Sequence, residues 1–96
     1  MEYTVADEVK YSYVTYGNMN PEWFDKYDKL PAEMDRYKEH AEKHGFKMTY
    51  WGHPYGISED IVVMFNSEKD LGEWQKMNQA FTGPYSGDRT ILSARA

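Results

Sequence analysis

The chain has 96 residues, sixteen of them acidic against eleven basic, for a net charge of −5, and it has no cysteine. That length fits one domain, and a chain of this size buries about two-thirds or less of its unfolded surface, so association between copies would add to a thin margin. The acidic balance, with no cluster of Lys and Arg, argues against a nucleic-acid or anionic-membrane partner, and the missing thiols exclude a disulfide framework and cysteine-ligated metal.

Neither a basic-then-apolar leader nor an apolar run of membrane-spanning length is visible, so the expectation is a cytoplasmic protein with no membrane partner. Nine Tyr, four Phe, three Trp and six Met predict either a bulky, partly polar core or an aromatic-lined cavity.

Residues 1–8 are polar and acidic and predict a flexible N-terminal arm; residues 9–96 form the single domain. From Val9 to Tyr16, β-branched and aromatic residues alternate with polar ones, a strand that Gly17-Asn18 should end. Asn20-Pro21 reads as N-cap and N1 of a helix. Trp23, Tyr27, Leu30, Met34, Tyr37 and Ala41 follow at spacings of three and four, one apolar helical stripe. Pro31 interrupts it, which predicts two segments, 21–29 and 31–44, closed by Gly45 at C′.

Phe46 to Trp51 and Asp60 to Phe65 read as an antiparallel strand pair around the Gly52-His53-Pro54-Tyr55-Gly56 loop. The second strand is apolar on both alternate sets, so it should be covered on both sides. Ile61, Val63 and Phe65, with Phe46, Met48 and Tyr50, are assigned to the helix-facing side. Val62, Met64 and Trp51, joined by Val14, Tyr16 and Ile91, form the opposite side, which predicts a homodimer through the sheet face. Ser67 should cap a helix running to Ala80 that buries Leu71, Trp74, Met77 and Phe81. Residues 83–87 read as a loop and Thr90 to Ala94 as the last strand. The order β-α-β-β-α-β with right-handed crossovers is the α+β, ferredoxin-like arrangement, an antiparallel sheet with two helices on one face.

On that order, together with Met48-Thr-Tyr-Trp-Gly52, Asp60-Ile-Val-Val-Met-Phe-Asn-Ser67 and the helix holding Leu71 and Trp74, the chain resembles the dimeric α+β barrel superfamily over residues 9–95. That group includes antibiotic-biosynthesis-type monooxygenases, muconolactone isomerases, stress-responsive barrel proteins and plant polyketide cyclases. The resemblance implies two sheets packed face to face and a ligand-sized cavity between each sheet and its own helices. In the cyclase-like branch a Tyr–His pair performs acid–base work, but no motif here carries that pair over residue by residue.

His53, between glycines and flanked by Trp51 and Tyr55, is the candidate acid or base, with Tyr50 as its partner; the alternative is a solvated turn histidine. Tyr11, Tyr13, Tyr27, Tyr37 and Tyr50 are expected to direct hydroxyls into one cavity, with Trp51 and Tyr55 as an aromatic wall; packing with rim hydroxyls is the alternative. His40 and His44 share a helix face at a metal-compatible spacing but lack a third ligand, so no metal and no cofactor are assigned. Asp88-Arg89 reads as a surface ion pair and Ser58-Glu59-Asp60 as a solvated turn. The function expected is a small-molecule-binding dimeric barrel for an aromatic or carbonyl-bearing ligand, acting as a cofactor-independent cyclase, isomerase or monooxygenase. A non-catalytic or stress-associated barrel, and a haem- or metal-binding barrel, remain open.

Overall fold

The computed structural model describes residues 10–80 and 82–94; the arm at 1–8, Val9 as strand start and Phe81 as a buried helix residue lie outside them. The chain runs β1 (Tyr11–Met19), α1 (Glu22–Asp25), a 3-10 turn (Tyr27–Lys29), α2 (Leu30–Lys43), β2 (Phe46–Gly52), β3 (Ile61–Ser67), α3 (Leu71–Gln79) and β4 (Tyr85–Ala94). The four strands form one antiparallel sheet in the order β2-β3-β1-β4. This is an α+β domain compatible with the ferredoxin-like fold, and among its described residues no helix is long and apolar enough to cross a membrane.

Pro31 breaks the first helical stripe as its chemistry requires. Its ring would collide with the carbonyl four residues back, that of Tyr27, so a continuous α-helix cannot run through this point. The chain instead leaves the helix at Lys26 (φ −117°, ψ 35°), makes the 3-10 turn, and the Leu30 N–H donates to the Tyr27 carbonyl before α2 begins. At the far end Gly45 takes the left-handed conformation (φ 87°) and its N–H donates to the Glu42 carbonyl. Asn20 does not cap: its Nδ2 donates to the Gly83 carbonyl, and Ser86 Oγ donates to its Oδ1.

The α3 start also shifts. Ser67 ends β3, its hydroxyl donating to the Gly45 carbonyl and accepting from the Lys69 N–H. Asp70 is the N-cap, accepting from the Glu73 N–H at 3.2 Å. Trp74 and Met77 are buried as the stripe predicts, but Leu71, now the first residue of the helix, is 45% exposed.

One core joins the helices to one sheet face. Leu30, Met34, Tyr37 and Ala41 of α2 and Trp74 and Met77 of α3 pack on Tyr13, Phe46, Met48, Ile61, Val63 and Phe65. At its centre the Tyr13 ring stacks on Trp74 (centroids 4.8 Å, 19°), and Phe46 and Phe65 meet the indole edge-on. Each large side chain fully buried contributes about 1.5–3 kcal/mol. The Tyr13 hydroxyl is satisfied at the Lys69 carbonyl, 2.7 Å away.

Two β-bulges set which residues reach that core. Met48 pairs with Phe65 but Tyr50 with Met64, so Thr49 is an extra residue and every later β2 side chain changes face. Trp51 therefore turns toward the core and Tyr50 toward the open face, the reverse of the assignment from strict alternation. In β4, Arg89 pairs with Tyr16 but Gly87 with Gly17, leaving Asp88 as the extra residue. Past this bulge the pairing continues through Ser86 and Tyr85, so β1 and β4 are longer than their Gly-rich sequences suggest.

Gly17 admits this continuation: a Cβ there would lie 2.5 Å from the Ser86 carbonyl oxygen and 2.7 Å from the Tyr85 ring, whereas at Gly87 nothing lies within 4 Å. Gly17→Ala is expected to cost about 1–3 kcal/mol through this overpacking. Gly87→Ala should stay within about 0.5 kcal/mol. Urea unfolding midpoints of the two variants check the pair.

Candidate functional site

His53 leaves β2 just after Gly52 and is fixed at both ring nitrogens. Nδ1 lies 2.8 Å from the Asp60 carbonyl oxygen, which can only accept, so Nδ1 carries the proton. In the neutral ring Nε2 then accepts from the Tyr27 hydroxyl at 2.5 Å. The pair faces a shallow hollow lined by Met19, Phe24, Pro54 and Ile57. A histidine held in one tautomer with a phenol on its lone pair can relay a proton, so the acid–base candidate has a tyrosine partner, Tyr27 rather than Tyr50.

The remaining tyrosines do not converge there. Tyr50 stands on the open sheet face, 55% exposed, with its hydroxyl over Gly52. Tyr55 is 98% exposed, Tyr13 is central in the core, and Tyr11 packs at the core edge. Trp51 meets the His53 ring edge-on with centroids 6.0 Å apart. His40 Nε2 donates to the Met77 carbonyl, tying α2 to α3, and its ring lies 4.6 Å from that of His44. Among the described residues no group of three or more His, Asp or Glu side chains could hold a metal ion.

Tyr37 instead lines a second, larger space, a cleft of about 620 Å³ on the helix side of β1 and β4. Thr15 and Thr90, a directly paired cross-strand couple with their hydroxyls hydrogen-bonded, belong to its floor; Trp74 and Asn78 of α3 and the segment 82–84 supply walls. The Tyr85 hydroxyl donates to that of Tyr37 at 3.1 Å. Burial raises both phenols, Tyr37 to about 12 and Tyr85 well above its ordinary value, so both keep their protons at neutral pH. They serve as hydrogen-bonding groups there and not as phenolates. Sequence reasoning found Tyr37 and missed Tyr85, because Gly83 and Gly87 on either side give it the texture of a loop.

A charged cluster borders the cleft. Glu59, read from sequence as part of a solvated turn, has a side chain only 5% exposed, and its carboxylate lies 3.0 Å from Arg89 Nε. The Arg89 guanidinium also sits 4.8 Å over the Tyr16 ring, on the open face. A backbone hydrogen bond, reinforced by the Asp88 carboxyl and Arg89, holds Glu59 below the usual carboxylate range. Asp88 is raised, first by its hydrogen bond to Glu59 and then by that residue's negative charge. Asp60 completes the anchoring of this loop: its N–H donates to the Gly17 carbonyl and its Oδ1 accepts from the Met19 N–H.

In comparisons with known proteins, the chain matches no family model, no curated protein and no solved structure.

The Asp88–Glu59 contact has a pH signature. Because the folded-state pKa of Asp88 is raised, stability is lost as pH rises through that value and the shared proton leaves. Asp88→Asn keeps a donor for Glu59 without the charge, so it should raise the melting temperature at about pH 7. That advantage should shrink as pH falls through the carboxylate range, where Asp88 carries its own proton. Thermal melts of both proteins across that interval check the sign.

Proposed function

We propose that this protein binds a small aromatic or carbonyl-bearing molecule in the cleft between α2, α3 and β4, and does so as a homodimer packed through the open sheet faces. The observation that carries the ligand reading is the cleft itself: an indole and two hydrogen-bonding phenols surround a space whose volume is in the range of small-molecule sites. The location, between a sheet and its own helices, is the one the resemblance to α+β barrels implies.

The dimer reading is supported by the opposite face. Val14, Tyr16, Val62, Met64 and Ile91 share it in adjacent register, and Ile91 is 50% exposed in the single chain. An apolar sheet face of this kind is covered isologously when a second copy packs on it about a two-fold axis. A second reading, proton-transfer catalysis at the Tyr27–His53 pair, is favoured by the fixed tautomer of His53. A non-catalytic barrel would use the cleft alone.

Calorimetric titration with 2-naphthol separates the sites. One ligand per chain is expected for the wild type and for His53→Ala, with binding lost in Thr90→Trp, whose indole would fill the cleft. Binding that survives Thr90→Trp and disappears in His53→Ala would move the ligand to the histidine hollow and overturn the cleft assignment. For assembly, light scattering coupled to size exclusion should return about twice the 11.3 kDa chain mass. Met64→Lys should reduce it to one chain, since the new charge would be buried without a partner.

A further inference from the structure

The charges bordering the cleft are turned away from it. Arg89 is the one cationic residue among the described residues that line the cleft. Its position opposite Tyr16 puts its side chain on the open face, where it is paired to Glu59 and lies over the Tyr16 ring. Asp88, the bulged residue, gives its carboxyl to Glu59 as well. What the lining offers inside is therefore neutral: the hydroxyls of Thr15, Thr90, Tyr37 and Tyr85, the amide of Asn78 and the Trp74 ring.

We infer that the cleft selects a neutral ring bearing hydroxyl or carbonyl groups and rejects the corresponding carboxylate, because Glu59 holds the Arg89 guanidinium away from the bound ligand. The inference rests on the cleft being the ligand site and names its substrate class. A carboxylate entering this space would lose water and meet dipoles with no opposing charge. A phenol or ketone can exchange water for the threonine and tyrosine hydroxyls at no charge cost. The same hydroxyls can act as donor or acceptor, so the site tolerates either end of a keto–enol pair.

The matched probes are 2-naphthol, neutral at pH about 7, and 2-naphthoate, ionised there, on the same bicyclic frame. Each is titrated into nitrogen-15-labelled protein while the amides of Asn78, Gly83, Ser86 and Gly87 are followed. The expected result is at least about tenfold weaker binding of the naphthoate, a ratio consistent with one unpaired buried charge. In Glu59→Gln, checked for folding by its own amide spectrum, Arg89 loses its ion-pair partner and the ratio should narrow severalfold. Equal or tighter binding of 2-naphthoate by the wild type would overturn the inference. An unchanged ratio in Glu59→Gln would overturn the role given to the Glu59–Arg89 pair. If neither compound moves the cleft amides while both bind elsewhere or not at all, the ligand cleft itself falls, a result distinct from failed selectivity.

Discussion

The two longer helices pack their apolar stripes over β2, β3 and β1, and among the described residues the fourth strand joins that packing only through Tyr85, which meets Tyr37 of α2. α3 is nine residues, about 14 Å of helix, and its buried side chains, Trp74 and Met77, are spent on the sheet's centre. No β4 residue belongs to the fully buried core, and Tyr85 alone packs against it. This shortfall in coverage generates both features of interest. On the helix side it leaves a cleft over β1 and β4. On the far side no helix among the described residues covers the sheet, and Ile91 there is 50% exposed while Val62 is buried.

The centre of the sheet was legible because it depends on periodicity. The α2 stripe of Leu30, Met34, Tyr37 and Ala41, the doubly apolar β3 and the Gly45 stop each follow from local rules and appear where those rules put them, whereas Trp23 and Tyr27, expected on the same stripe, are not buried. The break before α2 followed from Pro31 in the same way. What periodicity could not show were the two extra residues, Thr49 and Asp88. A bulge leaves composition unchanged and inverts every side chain after it, which is why Trp51 and Tyr50 exchanged faces.

The candidate site was less legible, for a related reason. Glu59, Asp88 and Arg89 lie in polar stretches separated by about thirty residues of sequence, and nothing local distinguishes a buried Glu59 paired to an exposed Arg89 from a solvated turn. Tyr85 sits between glycines that mark a loop in most chains, yet here Gly17 opposite lets the strand pairing run on and carries Tyr85 to the hydroxyl of Tyr37. The Tyr27–His53 bond likewise depends on the 3-10 turn that Pro31 imposes, a tertiary consequence of a local rule. The sheet thus has two chemically different neighbourhoods: an exposed, hydrogen-bonded Tyr27–His53 pair at the β2–β3 loop, and a hydroxyl-rich cleft over β4 bordered by Asp88 and Arg89.

Whether the cleft is where a ligand goes is decided most directly by a crystal structure of the protein grown with 2-naphthol. The account requires the ring to lie among Trp74, Tyr37 and Tyr85, with its hydroxyl within hydrogen-bonding distance of a Thr15, Thr90, Tyr37 or Tyr85 oxygen. A ring seated instead against Phe24 and Ile57, with its hydroxyl on His53 Nε2 in place of Tyr27, would contradict it.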